Sequence, residues 1–262
     1  MEERATLRVE EQPENVFLVT LDRPEVANAF DTQSALDLEG VFRRIGSELR
    51  HRCIVLTGAG DRAFCAGADL KERSAFDDAQ WHKQHAIFER MFRAVLDCPV
   101  PVIAAINGAA YAGGLELALM CDFIYASKSA RFALTEVSLG IMPGGGGTQM
   151  LPRAVGERRA KELILAARPF SAEEALAWGV VNRLCEPAKL LGETLETASR
   201  IAANAPLSVA QARRAIHDGL QGELDAGLQL EIEAYNHLVG TEDRREGILA
   251  FNEKRKPRFR GR

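Results

Sequence analysis

An α/β fold with covered sheets, followed by a mainly helical region, is what this sequence predicts. Three observations carry the expectation. Short apolar runs closed by glycine or Asn-Gly recur through the first half, as in residues 53–58 (CIVLTG) and 102–108 (VIAAING). Stretches with helical spacing of apolar residues separate them. From about Gly156 onward the helical pattern takes over almost completely. Strand, loop, helix and strand in succession argue for a sheet buried on both faces, because such strands read as continuous rather than alternating apolar runs.

Residues 6–10 and 16–21 read as a hairpin turning through Gln12, Pro13, Glu14 and Asn15, with RPEVANAF following as a loop. DTQSALDLEGVFRRIG reads as a helix capped by Asp31, with Leu36, Val41 and Ile45 among its apolar positions. CIVLTG is a buried strand. A second helix is expected over roughly 77–96, ended by Pro99 and Pro101. VIAAI, the helix GLELALM and the strand DFIYAS come next. Beyond Gly156 five helical segments are interrupted only by a short strand at VVNRL, and Ser171 with Glu173 and Glu174 marks a helix start.

Composition narrows the class. The chain has 262 residues with 47% hydrophobic and 27% charged, the usage of a folded globular protein of one large domain or one domain with a helical appendage. A net charge of -4 gives no global attraction for polyanions, although NEKRKPRFRGR near the end is a local basic patch that is otherwise a solvated tail. Cys53, Cys65, Cys98, Cys121 and Cys185 show no CxxC spacing and are expected as small buried hydrophobes in a reducing compartment. The five histidines are scattered, so no metal site is expected. The polar, acidic N-terminus is not expected to be a secretory or transit segment, and no window reaches the roughly 18 apolar residues that span a bilayer.

Three clusters could carry chemistry. In AFCAGADLKER (63–73), Gly67 lets the backbone approach a ligand and the amide of Ala68 could point into a site. An ordinary loop with a helix start at Asp69 explains the same residues. In NGAAYAGGLELALMCD (107–122), Gly113 and Gly114 open a short helix that is apolar all round except for Glu116. A carboxylate buried there is costly unless it is hydrogen-bonded or functional. In FALTEVSLGIMPGGGGTQMLPR (132–153), Glu136 stands between apolar runs. The glycines at 144–147 lack the Lys-Ser/Thr pair of a phosphate loop and are expected as a tight lead into the following helix. No GxGxxG follows an early strand and no Gly-x-Ser-x-Gly occurs, which leaves dinucleotide binding and serine hydrolysis without support. Two buried glutamates suggest paired acid–base work, since burial raises carboxylate pKa values and neighbouring carboxylates divide one proton.

Taken together, LDRPEVANAF, AFCAGADLKE, PVIAAINGAAYAGGLELALMCD, FALTEVSLGIMPGGGGTQMLPRAVG, AEEALAWGVVN and TEDRREGILAFNEKR resemble the enoyl-CoA hydratase (crotonase) family over nearly the whole chain. The resemblance implies a crotonase-like spiral of ββα units, with residues 1–195 forming the core with its CoA and acyl site. Residues 196–262 would form a helical C-terminal region that builds trimers, often paired into hexamers. It implies an oxyanion hole from the amides of Ala68 and Gly113, and a reacting water held by Glu116 and Glu136. Retention of both glutamates favours hydration of a 2-enoyl-CoA over isomerase or lyase chemistry. Coenzyme A is then part of the substrate and no cofactor is implied. Arg23, Ala66, Asp69, Tyr111 and, from a neighbouring subunit, Lys254 are the implied substrate contacts.

The motifs CAGADLKER, GGLELAL and the closing EKRKPRFRGR look most like methylglutaconyl-CoA hydratases of leucine breakdown. An RNA-binding relative in that branch uses a lysine-studded early helix. The corresponding helix here has no lysine, with Thr32, Leu36 and Gly40 at its non-basic positions, which argues against RNA. Where the family has Leu-Gly-Gly-Gly, this chain has Tyr111-Ala112-Gly113-Gly114. Residues 71–82 are expected to shape the acyl pocket. Basic or hydroxyl groups there would favour a substrate with a second carboxylate, and an apolar lining plain enoyl chains. The implied compartment is the cytoplasm of a bacterium or the mitochondrial matrix of a eukaryote. A binding protein on a retired enzyme scaffold and a purely structural oligomer are the rivals from other classes.

Overall fold

The computed structural model describes residues 2–4, 6–48 and 50–262, with residues 2–4 described as backbone only. Strands β1 (Glu2–Arg4), β2 (Leu7–Gln12) and β3 (Val16–Leu21) form an antiparallel meander. Helix α1 (Thr32–Ser47) follows, with the Asp31 carboxylate accepting the Ser34 N–H at 2.8 Å as the expected cap. Its buried stripe is Ala35, Leu38, Val41, Phe42 and Ile45. Leu36 is the exception to the sequence reading: it faces outward, because the stripe runs through positions 35, 38, 41, 42 and 45 and 36 falls outside it.

A repeating plan then begins. β4 (Cys53–Gly58) and β5 (Ala63–Cys65) lead to a one-turn helix α2 (Leu70–Arg73) and the long α3 (Asp78–Leu96). β6 (Val102–Ile106) and β7 (Ala109–Tyr111) lead to α4 (Gly113–Leu119). β8 (Phe123–Ser127) and β9 (Arg131–Ala133) lead to α5 (Gly147–Val155) and α6 (Glu157–Leu165). The first strand of each pair extends a large sheet, β3-β4-β6-β8, in parallel. The second extends a small one, β5-β7-β9, also in parallel. Each repeat therefore advances both sheets by one strand, and the chain winds as a spiral. β10 (Phe170–Ser171) closes the small sheet. After α7 (Ala172–Ala177), β11 (Arg183–Cys185) closes the large one, a few residues later than VVNRL suggested. Ser171 and Glu174 form a reciprocal capping box at α7.

The unbroken apolar strands have a simple cause. Phe17, Val19, Ile54, Leu56, Val102 and Ala104 enter the main core. The alternate residues Val16, Leu18, Cys53, Val55, Ile103 and Ala105 enter a second core on the other face. Period-two geometry sends neighbours to opposite sides, and both sides are dry. Helix α8 (Leu190–Ala202) covers the second core with Leu190, Leu195, Ala198 and Ile201. The division expected at 195 thus falls within a helix packed on the sheet.

Only after α8 does the chain leave the core, as α9 (Pro206–Gly219), α10 (Leu224–Val239) and α11 (Glu242–Asn252). The basic tail is anchored to this helical region rather than merely solvated. Asp243 accepts the Arg260 and Gly261 N–H groups at 2.7 Å, and Glu246 pairs with Arg255 at 2.6 Å. All five cysteines are buried and free. Burial pushes the Cys53 and Cys65 thiols up to about 12, as expected of inert core residues.

Candidate active site

The loop between β5 and α2 is laid against residues 27–30. Ala66 N–H donates to Ala27 O at 3.0 Å, Phe30 N–H to Gly67 O at 2.9 Å and Asp69 N–H to Phe30 O at 2.9 Å. The Ala68 N–H finds no protein acceptor among the described residues. Gly67 has φ +94°, and a Cβ there would stand 3.0 Å from the Gly113 nitrogen and 3.1 Å from the Ala112 Cβ. Glycine therefore lets this loop touch the backbone that opens α4, not only a ligand. Gly114 is tighter still: a Cβ would meet the Cys65 carbonyl oxygen at 2.0 Å. The Gly113 N–H, like that of Ala68, has no protein acceptor among the described residues. Ala112 takes φ 48° and ψ -126° to turn the chain into α4.

Every residue of α4 is buried, Glu116 included. Its Oε1 accepts the N–H groups of Gly145 and Gly147, both at 2.8 Å. The glycine run at 144–147 thus does what a phosphate loop does, but for a carboxylate of the same chain, with α5 starting at Gly147. Burial raises the Glu116 pKa, and the two amides oppose the rise.

Glu136 begins the 3-10 turn that ends at Leu139. It is 6% exposed and, among the described residues, neither carboxylate oxygen has a hydrogen-bond partner. Burial, with the charge of Glu116 adding to it, pushes its pKa up to about 7. A carboxyl raised this way favours folding relative to its ionised form only while it stays protonated. The penalty is absent below the unfolded value of 4.5 and grows as pH rises to about 7. Glu136→Gln, uncharged at every pH, should therefore gain on wild type by about 2–3 kcal/mol between pH 4.5 and 8. Urea unfolding of both proteins across that range checks this; a constant gap would refute it.

Both glutamates line one cavity of about 220 Å³ with Ala66, Ala68, Tyr111 and Gly113. Arg73, Trp81, His85 and Phe88, within or just beyond the expected pocket-shaping segment, line it as well. Trp81, His85 and Phe88 fall at i, i+4 and i+7 of α3, a face signal present in the sequence but not used. Phe30 was missed as well; its ring lies 4.9 Å from that of Phe88 at 85°.

Three expected contacts lie elsewhere. Arg23 donates to Ala29 O at 2.7 Å and pairs with Asp69 at 3.1 Å and Asp31 at 3.2 Å. Asp69 also caps α2 through Lys71 N–H at 3.1 Å. Neither lines the cavity; together they brace the loop that carries Ala68. Lys254 is exposed beyond α11, away from the cavity of its own chain. A larger cleft of about 1240 Å³ runs between α3, α5 and α9 and meets the cavity at Phe92, Gly144 and Gly145. It contains neither glutamate and neither free amide, so the smaller cavity is the site chemistry selects.

Known proteins of the same kind match this chain along its length. A short-chain-enoyl-CoA hydratase of Clostridium acetobutylicum is 40% identical over 246 residues, covering 94% of each chain. The mitochondrial methylglutaconyl-CoA hydratase of Mus musculus is 37% identical over 257 residues, covering 97% of this chain and 82% of its own. The solved enoyl-CoA hydratase from Bacillus anthracis superposes with a TM-score of 0.96 at 42% identity, covering 98% of this chain and 100% of that one. Plain enoyl-CoA hydratases are thus at least as similar as the methylglutaconyl branch, and the motif likeness does not single that branch out. The model of the enoyl-CoA hydratase/isomerase family matches residues 11–262, and the chain belongs to that family.

Proposed function

We propose that this chain is a hydro-lyase that adds water across the double bond of a 2-enoyl-CoA thioester to give the 3-hydroxyacyl-CoA. The observation that carries the reading is two buried carboxylates of opposite character in one cavity. Glu116, held by two amides that oppose the rise burial imposes on its pKa, is suited to orient water and take its proton as the oxygen attacks C3. Glu136, unbonded and raised to about 7, is suited to hold the proton that C2 receives. The Ala68 and Gly113 amides are the donors for the thioester oxygen. Negative charge grows there as the enolate forms, and fixed donors in a water-poor site stabilise it most. Dehydration reverses the two glutamate roles. Ala66 and Tyr111 border the acyl chain, and Arg23 and Asp69 act through the loop they hold.

The polar groups of the acyl cavity favour a methylglutaconyl-type substrate, as in leucine breakdown, as the second reading. Exposed Ile216, Leu220, Leu224, Leu228, Ile232 and Tyr235 along α9 and α10 fit a covered face in a trimer or a hexamer of paired trimers, where Lys254 could serve a neighbour's site. Helix α1 has no lysine and its Arg43 is paired with Glu39, which argues against RNA as a partner. The compartment would be the matrix in a eukaryote, as for the mitochondrial mouse relative, or a bacterial cytoplasm. Loss of enoyl absorbance with crotonyl-CoA and 3-methylglutaconyl-CoA tests the reaction. Turnover of either supports hydration, and folded protein that consumes neither refutes it.

A further inference from the structure

The catalytic cavity of about 220 Å³ and the adjoining cleft of about 1240 Å³ share three lining residues, Phe92, Gly144 and Gly145. Two are glycines, so among the described residues Phe92 contributes the one side chain to the shared wall. It comes from α3, one turn after Phe88, and is buried. Its ring meets that of Phe30 edge to face, with centroids 6.0 Å apart at 82°. Phe30 closes in turn on the start of α4, where a Cβ at Gly113 would stand 2.5 Å from its Cζ. The Phe92 ring itself presses on Gly145: a Cβ there would stand 2.2 Å from Phe92 Cε2 and 2.8 Å from Glu116 Oε2. The place of one absent methyl group thus touches both the ring tip and the carboxylate. Packed against the Phe30 ring and the Gly145 backbone, Phe92 has no free room to swing aside.

The proposed reaction gives the cavity a direction. The thioester oxygen lies at the Ala68 and Gly113 amides and C3 lies at Glu116, so the carbons beyond C3 run past Glu116 toward Gly145 and Phe92. We propose that Phe92 is a specificity-determining residue that ends the acyl subsite and restricts the enzyme to short 2-enoyl-CoA thioesters, about four to six acyl carbons long. The volume agrees, since about 220 Å³ is less than the roughly 300 Å³ at which sites begin to take drug-sized ligands. On the cleft side of the wall stand Leu96, Met120 and Met150, apolar side chains of which two are adaptable thioethers. Removing the ring joins the two spaces and gives a longer tail an apolar path.

The inference rests on the hydratase reading, and the experiment keeps the two apart. Initial rates are measured with crotonyl-CoA, 2-hexenoyl-CoA and 2-decenoyl-CoA for wild type, Phe92→Leu and Phe92→Ala. Wild type should favour crotonyl-CoA over 2-decenoyl-CoA by about 10²-fold or more in kcat/KM. Phe92→Ala should shift that ratio toward 2-decenoyl-CoA about 10- to 100-fold, the range over which pocket size discriminates, and Phe92→Leu by less in the same direction. Phe92→Leu keeps a branched apolar side chain in the core and decides the matter if Phe92→Ala does not fold. Wild type that hydrates 2-decenoyl-CoA as fast as crotonyl-CoA overturns the assignment and leaves the hydratase reading intact, since the tail then leaves over the exposed Leu139, Ile141 and Met142. An unchanged ratio in a folded variant also overturns it, placing the limit in another wall. No turnover of any substrate by wild type removes the hydratase reading itself. Calorimetric binding of butyryl-CoA and decanoyl-CoA then decides the role of Phe92 without chemistry. Equal or tighter binding of decanoyl-CoA by wild type overturns it, and weaker binding that Phe92→Leu relieves supports it.

Discussion

Glu136→Gln should lower kcat/KM for crotonyl-CoA hydration by about 10²–10⁴-fold, the usual contribution of a positioned acid or base. The amide fills the same space and no hydrogen bond is lost, because neither oxygen of Glu136 has a partner among the described residues. What disappears is the transferable proton. The pH profile makes the test specific. In hydration Glu136 must be protonated, so wild-type kcat/KM should fall above the raised pKa of about 7, approaching tenfold per pH unit. The residual rate of the variant should lack that fall. Glu116→Gln should cost a similar factor for another reason: its carbonyl can still accept the Gly145 and Gly147 amides, but it cannot take a proton from water. Combining both should cost less than the product of the two, since residues acting as a unit are not additive. Initial rates between pH 6 and 9 decide the matter. A Glu136→Gln enzyme within threefold of wild type would assign the proton to another donor.

Gly114→Ala should destabilise the protein by about 3 kcal/mol or more, because the added carbon has no room to relax. The contact is backbone, the Cys65 carbonyl oxygen at 2.0 Å and its carbon at 2.7 Å, so no side chain can swing aside. Either α4 lifts or β5 shifts. Both moves separate the Ala68 and Gly113 amides and displace Glu116 from its two donors, so any protein that folds should lose more than about 10²-fold in kcat/KM. Gly192→Ala is the matched control. Its Cβ would meet nothing within 4 Å on the exposed side of α8, and helix propensity favours alanine there. Thermal midpoints and crotonyl-CoA rates of the two variants should diverge sharply. A Gly114→Ala protein with wild-type stability would contradict the close approach of β5 and α4.

The elements that were legible share one property: a local pattern suffices for them. Asp31 and Ser171 announce helix starts because a cap is satisfied within three residues. The buried strands at 53–58 and 102–106 are visible because both sheet faces are dry and every position but Thr57 lacks a polar side chain. Burial of Glu116 follows from a helix apolar all round, and five unpatterned cysteines in apolar surroundings read correctly as core residues. The small sheet was not legible. Its strands hold two or three residues each, too few for a period to show, and they exist because a neighbouring strand supplies their backbone partners.

The sequence by itself determined the order of the large-sheet strands and the helices, the covered sheet, the buried glutamates and the glycines that permit close backbone contact. Only the tertiary structure decided what those glycines approach. Gly67 meets the turn into α4, and Gly145 and Gly147 clamp a carboxylate 29 and 31 residues away. It also decided that Arg23 and Asp69 brace a loop, that Leu36 faces out, and that Arg73 stands unpaired in the cavity. The physical reason is the same throughout. Caps and periodicities are satisfied within a turn or two of chain, whereas a cavity is built from contacts between distant segments, whose partners no local pattern names.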